Sequence, residues 1–165
     1  MTFEFATIYD QKFDEIDRIA KEFFQIDSDP NQIKADRETF LYSLEIGGKT
    51  LAAFDGEDMM GWSFAFPTDK ILMYQFLAGE ITEKELFWST KKDPDYGAIY
   101  FCAMYVYPEY RSLPLTLKLI HKCIEPLLKE NICVFYDPYS FQGEIIGDFM
   151  KKHSKFQIKS KTFPK

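Results

Sequence analysis

The 165-residue sequence predicts an α/β (α+β) fold, a mixed sheet with helices on both faces. Three observations carry this. Two apolar runs flank Asp55-Gly56, a favoured tight-turn pair, so "KTLAAFDGEDMMGWSFAFP" (49–67) reads as a hairpin. "AIYFCAMYVY" (98–107) is apolar on both faces, the pattern of a central strand covered from both sides. An amphipathic helix and a short apolar run, "ICVFY" (132–136), follow it and complete a strand–helix–strand crossover.

The elements follow in order. "FEFATI" (3–8) alternates as a strand does. Residues 11–24 place Phe13, Ile16, Ile19, Ala20, Phe23 and Phe24 on one helical face. "DSDPN" breaks the chain, and a second helix then sets Ile33, Arg37, Phe40, Leu41 and Leu44 on one side. Gly47 and Gly48 end it. Residues 68–97 contain no clear strand. "DKILMYQFLAG" and "TEKELFWST" read as two short helices, the first closed by Gly79, the second opened by Thr82 with Glu85 at capping-box spacing. "KKDPDYG" is a loop. "RSLPLTLKLIHKCIEPLLKE" then buries Leu113, Leu117, Ile120, Ile124 and Leu127, and Pro126 kinks or ends it. "DPYS" is a turn, 141–153 a last helix and "FQIKSKTF" a last strand.

At 46% hydrophobic the chain can bury a substantial core, made aromatic by 17 Phe and 10 Tyr. Net charge is −6 but unevenly spread. Six lysines and no acid lie beyond Lys151 (itself included), so residues 1–150 carry 14 bases against 26 acids, or −12. An acidic body argues against a nucleic-acid partner and suits a cationic amine. The basic tail reads as an edge strand whose lysines discourage edge-to-edge pairing. Cys102, Cys123 and Cys133 sit in apolar runs without metal-ligand spacing, so free buried thiols and no metal are expected. "MTFEFATIYDQKFDE" has no basic start or apolar stretch, and the apolar runs fall short of a membrane span. The expectation is a soluble cytoplasmic protein without a membrane partner, monomer or homodimer.

"VYPEYRSLPLTLKL" (106–119) bears the chemistry. It outlines a strand, a turn and a helix start. First-turn N–H groups lack internal partners, and the helix dipole adds positive potential there, so a phosphate can be held. Arg111 adds charge, and Ser112 and Thr116 add hydroxyls. Pro114 offers no N–H, yet proline is tolerated in a first helical turn.

With Val106, Pro108 and Arg111 in register, this stretch resembles the coenzyme A motif of the GNAT superfamily of N-acetyltransferases: an apolar strand, Val-x-Pro-x-x-Arg/Gln-x-x-Gly-x-Gly/Ala, then a helix. The two motif glycines are here Pro114 and Thr116. The element order is similar over nearly the whole chain. The resemblance implies one acyltransferase domain over 1–165. Its twisted sheet would be mixed but mostly antiparallel, with about six to seven strands, helices on both faces and a helical insertion at 68–97. It implies acetyl-CoA (coenzyme A) as co-substrate. The backbone of Met104, Tyr105 and Val106 would hold the pantetheine arm. The turn comprising Arg111, Ser112, Leu113, Leu115 and Thr116 would hold the pyrophosphate. The thioester would lie where strand 98–107 and strand 132–136 splay apart. The acceptor, a small-molecule or peptide amine, would attack the acetyl carbonyl directly.

The departures fall on the catalytic positions. The strand glutamate that many members carry as base is Cys102, and the tyrosine that many carry as acid is Met150. Tyr136 and Tyr139 follow the fifth strand, and Tyr139 is the candidate acid. Glu144 and Asp137 are candidate bases acting through a water. His121 and His153 read as surface residues, and Cys102 as a nucleophile would need a lowered pKa and a partner base. Two readings stand: an acyl-CoA-dependent N-acyltransferase, or a catalytically weak or inactive coenzyme A-binding or protein-interaction module.

Overall fold

A computed structural model describes residues 4–8, 13–24, 26–138 and 141–161. Its elements are β1 (Glu4–Thr7), α1 (Phe13–Phe24), α2 (Arg37–Glu45), β2 (Lys49–Asp55), β3 (Asp58–Thr68), α3 (Lys70–Leu77) and α4 (Glu83–Ser89). β4 (Ala98–Val106), α5 (Leu113–Ile124), β5 (Cys133–Tyr136), α6 (Phe141–His153) and β6 (Gln157–Ser160) follow.

One sheet runs β1-β2-β3-β4-β5-β6. The pairs from β1 to β4 are antiparallel, and β4–β5 and β5–β6 are parallel. A short turn joins β2 to β3, helix pairs α1–α2 and α3–α4 link the other antiparallel neighbours, and α5 and α6 cross over between the parallel strands, as parallel neighbours require. Among the described residues the sheet is mixed and mostly antiparallel with six strands, within the six to seven that the family resemblance implies. α1 to α4 pack on one face, around Trp62, Phe66, Tyr100 and Phe135. α5 and α6 cover the other, around Ala65, Ile99 and Val134.

The inserted helices are sealed by their ends. Asp69 accepts from Leu72 N–H at the start of α3, and Thr82 and Glu85 form a reciprocal capping box on α4. Phe87, fully buried, then packs edge-on to Phe66 at 5.3 Å and fastens α4 to the sheet.

Three local readings change. The hairpin loop is Gly56-Glu57, because Asp55 still pairs with Asp58 and only Gly56, at φ 63°, takes the left-handed conformation. Helix α2 starts at the Asp36 cap and buries Thr39, Phe40 and Ser43, leaving Leu41 53% exposed. Starting the helix there turns Thr39 and Ser43 toward a cavity and Leu41 outward, while Leu44 still packs on the core. In α5 the buried stripe is Leu115, Thr116, Leu119, Ile120, Cys123 and Ile124, and Leu113 is 51% exposed at the helix mouth. Pro126 ends α5 as expected, with a 3-10 turn over Glu125–Leu127.

Candidate active site

β4 and β5 pair only from Ala98↔Cys133 to Tyr100↔Phe135. Beyond Tyr100 the two strands part. A strand paired on one side only presents alternate N–H and C=O groups along its other edge, here over 101–106. A groove of about 690 Å³ opens at this fork, floored by β4 and walled by α5, α6 and the end of β5.

The structure brings Met104, Tyr105, Val106, Arg111, Ser112, Leu113 and Thr116 to this groove. Leu115 lies in the core beneath it. The anion corner is spare in donors. Ser112 caps α5 by accepting Leu115 N–H at 3.4 Å through its hydroxyl and Thr116 N–H at 3.0 Å through its carbonyl. Pro114 has no N–H. Among the described residues, Ser112 and Leu113 keep their N–H groups without a protein acceptor. Arg111 Nε donates to the Val106 carbonyl at 3.1 Å, which fixes the guanidinium beside the strand end. The fork, the free strand edge and this cationic helix start fit an extended ligand with a phosphate at one end.

A second cavity, of about 550 Å³, lies on the opposite face between α1, α2 and the inserted helices. Its walls are aromatic, with Phe13, Phe24, Trp62, Phe64 and Phe76. Asp29, Asp36, Glu80, Glu83 and Asp137 line it against Lys34 and Lys161, so acids outnumber bases. The two cavities share Phe24, Cys102, Ala103, Asp137 and Pro138.

Backbone geometry explains why they meet there. Phe64 pairs with Ala103 and Ala65 with Phe101, which leaves Cys102 as the extra residue of a β-bulge. A bulge interrupts alternation, so Cys102 and Ala103 both turn to the α1–α4 face. The sequence reading did not see this bulge, because no glycine marks it.

The carboxylate of Glu83 sits against the bulge. Its Oε1 accepts from Tyr100 Oη at 2.7 Å and from Cys102 Sγ at 3.6 Å, and its Oε2 accepts from Ile33 N–H at 3.2 Å. Burial pushes the Glu83 carboxyl above the usual carboxylate range, against the opposing pull of these three donors. Burial, then the Glu83 charge, holds the Cys102 thiol well above its ordinary value. A thiol held that high disfavours the thiolate form, which argues against Cys102 as a nucleophile. We expect Cys102 to resist iodoacetamide at mildly alkaline pH in the folded protein and to react on denaturation, read by mass spectrometry of the labelled peptides.

Asp137 lines both cavities, with Lys161 at 3.9 Å, and burial raises its carboxyl more than that cation lowers it. Tyr136 lines the groove and presses its ring on Gly147 of α6, so closely that a Cβ there would fall inside the hydroxyl and ring. Glu144 is on α6 but lines neither cavity, although Gly143 and Ile145 beside it line the groove. Tyr139 lies outside the described residues. His121 and His153 are exposed. Among the described residues no cluster could hold a metal ion, and no helix is long and apolar enough to cross a membrane.

Glu83 is the residue the sequence reading missed. In sequence the neighbouring Glu85 stands out instead, at the capping-box position of the same helix. The available signal was its place on the buried stripe of α4: Glu83 precedes Leu86, Phe87 and Thr90 at i, i+3, i+4 and i+7. A carboxylate on such a stripe must face something other than water.

No protein-family model matches the sequence, and no curated protein matches it. Solved structures do match in shape. A ribosomal-protein-alanine N-acetyltransferase from Brucella melitensis biovar Abortus 2308 superimposes with a TM-score of 0.55 at 10% identity, covering 98% of this chain and 100% of its own. An aminoglycoside acetyltransferase, meta-AAC0020, from an uncultured soil metagenomic sample gives 0.54 at 11% identity, covering 99% and 95%. Arabidopsis thaliana Naa50, in complex with the bisubstrate analogue CoA-Ac-MVNAL, gives 0.55 at 12% identity, covering 92% and 82%. Together with the sheet order and the fork between β4 and β5, these matches show that the chain has the GNAT N-acetyltransferase fold.

Proposed function

We propose that the protein is an acyl-CoA-dependent N-acyltransferase that moves an acetyl group from acetyl-CoA to a primary amine by direct attack. One observation carries the reading: two cavities on opposite faces of the sheet meet at the bulge of β4, where five residues line both. Such a junction lets two substrates enter from opposite sides and touch, which is what a direct two-substrate transfer requires. The groove side offers a free strand edge for an amide-bearing arm and Arg111, Ser112 N–H and Leu113 N–H for a pyrophosphate. The other side offers an acidic, aromatic-walled cavity that suits a cation with an apolar body. The raised Cys102 thiol argues against a covalent relay and favours direct attack. The acceptors of the structural relatives, aminoglycosides and peptides by their descriptions, fall within the amine class.

The shortened donor set at the anion corner favours a second reading, a module that binds coenzyme A without turning over. Calorimetric titration with acetyl-CoA and coenzyme A, followed by a broad panel of primary amines, separates the two. Binding with transfer supports the enzyme. Binding without transfer to any amine supports the module, and no binding of either ligand at millimolar concentration sinks both. Where binding is seen, Arg111→Ala is expected to weaken it by about 1–3 kcal/mol, the cost of losing a charged hydrogen-bond partner. An unchanged affinity would place the phosphates elsewhere.

A further inference from the structure

We infer that Glu83, carried by the inserted helix α4, is the proton acceptor for the substrate ammonium. This rests on the acyltransferase reading. Glu83 lines the acceptor cavity, and its Oε1 contacts Cys102, one of the five residues common to both cavities. No other carboxylate that lines the acceptor cavity bonds a residue shared with the groove among the described residues; Asp137 is itself shared.

The partners of Glu83 are unusual for a structural carboxylate. All three are neutral donors: a phenol, a thiol and a backbone N–H. Among the described residues no cation pairs with it, whereas Asp137 has Lys161 at 3.9 Å. A paired cation stabilises the charged form and opposes proton uptake, as Lys161 does in part at Asp137, where burial still wins. Glu83, held only by neutral donors, has no such cation opposing the rise in proton affinity that burial brings. A carboxylate also has about four acceptor sites. Tyr100 and Cys102 occupy two on Oε1 and Ile33 one on Oε2, which leaves a site on Oε2 for an arriving ammonium.

These donors also hold the geometry. Tyr100 is fully buried on β4, and Ile33 is buried in the segment before α2. Together they pin the carboxylate between helix α4 and the sheet. The other charged groups facing this space are Asp29, Lys34 and Asp36 before α2, Glu80 before α4, and Asp137 with Lys161 at the ends of β5 and β6.

The chemistry balances. The ammonium gives one proton to the Glu83 carboxylate and becomes a free amine. The nitrogen lone pair attacks the carbonyl of the acyl thioester; the C–N bond forms and the C–S bond breaks. The second nitrogen proton goes to the departing thiolate, and Glu83 returns its proton to solvent.

The experiment uses the full chain, acetyl-CoA and the best amine of the panel. Glu83→Gln is expected to bind acetyl-CoA as the wild type does, by calorimetry, and to lose at least about 100-fold in kcat with the acid limb of the pH profile abolished. Tyr100→Phe removes one donor from the charged carboxylate, so its acid limb is expected to move to higher pH. A thermal readout needs no turnover. Because burial raises the folded-state carboxyl above its unfolded value, wild-type stability is lost as pH rises through the folded value. The melting temperature of Glu83→Gln relative to wild type should therefore climb over that rise. Transfer by Glu83→Gln within about threefold of wild type, or an acid limb unmoved in Tyr100→Phe, overturns the inference while the acyltransferase reading stands. A wild type that binds no acetyl-CoA, or acetylates no amine, overturns both.

Discussion

Phe87→Ala is expected to destabilise the folded protein by about 3–5 kcal/mol, the range for removing a buried phenylalanine. The ring is fully buried and meets Phe66 at 5.3 Å, Tyr42 at 5.4 Å and Trp88 at 5.2 Å. Each contact is tilted or edge-on, so no single neighbour can slide in to fill the hole. Helix α4 has only seven residues, too few to persist without its packed face. Loss of this anchor should therefore reach Glu83 at the helix start and uncover Cys102. Denaturant unfolding measures the cost, and iodoacetamide labelling of Cys102 below the unfolding transition measures the local effect. A cost under about 1 kcal/mol, or a thiol still unreactive, would show that the insertion is held by something other than this ring.

Gly147→Ala is expected to cost about 1–3 kcal/mol and to weaken coenzyme A binding in the same variant. Glycine at this position of α6 is unfavourable for the helix by itself. It is required because Tyr136 occupies the space of a side chain there. A Cβ would meet the hydroxyl and two ring carbons, so the whole ring must swing away. Tyr136 lines the groove at the fork, and its displacement changes the groove where the reacting end of the ligand would lie. The paired variant Gly147→Ala/Tyr136→Phe should recover little, because ring carbons as well as the hydroxyl stand in the way. Stability equal to wild type would mean that α6 shifts freely, and an unchanged affinity would move the ligand away from Tyr136.

The legible parts of the fold were those written in local pattern. The β4 strand, doubly apolar, the capping box on α4, and the proline that ends α5 each depend on residues within a few positions of one another. Registers were less legible. Leu41 and Leu113 were expected to face inward and face outward, because a helix turns about 100° per residue and its starting cap decides which side is buried. At the candidate site, the anion corner could be read because strand, turn and helix start are contiguous. The cavity on the opposite face could not. Glu83 lies 17 residues from Tyr100 and 50 from Ile33, and their meeting depends on an inserted segment folding back over the sheet.

The sequence by itself determined the element order, the crossover that brings a helix start to the end of β4, and an acidic, aromatic composition, since each follows from short-range periodicity and charge. Only the tertiary structure decided that β4 carries a bulge at Cys102, that the bulge joins two cavities, and that a carboxylate from the insertion meets it. Strand registers and the docking of an insertion are set by which long-range contacts bury most surface without stranding a polar group. That competition is settled across the whole chain, where no local pattern records it.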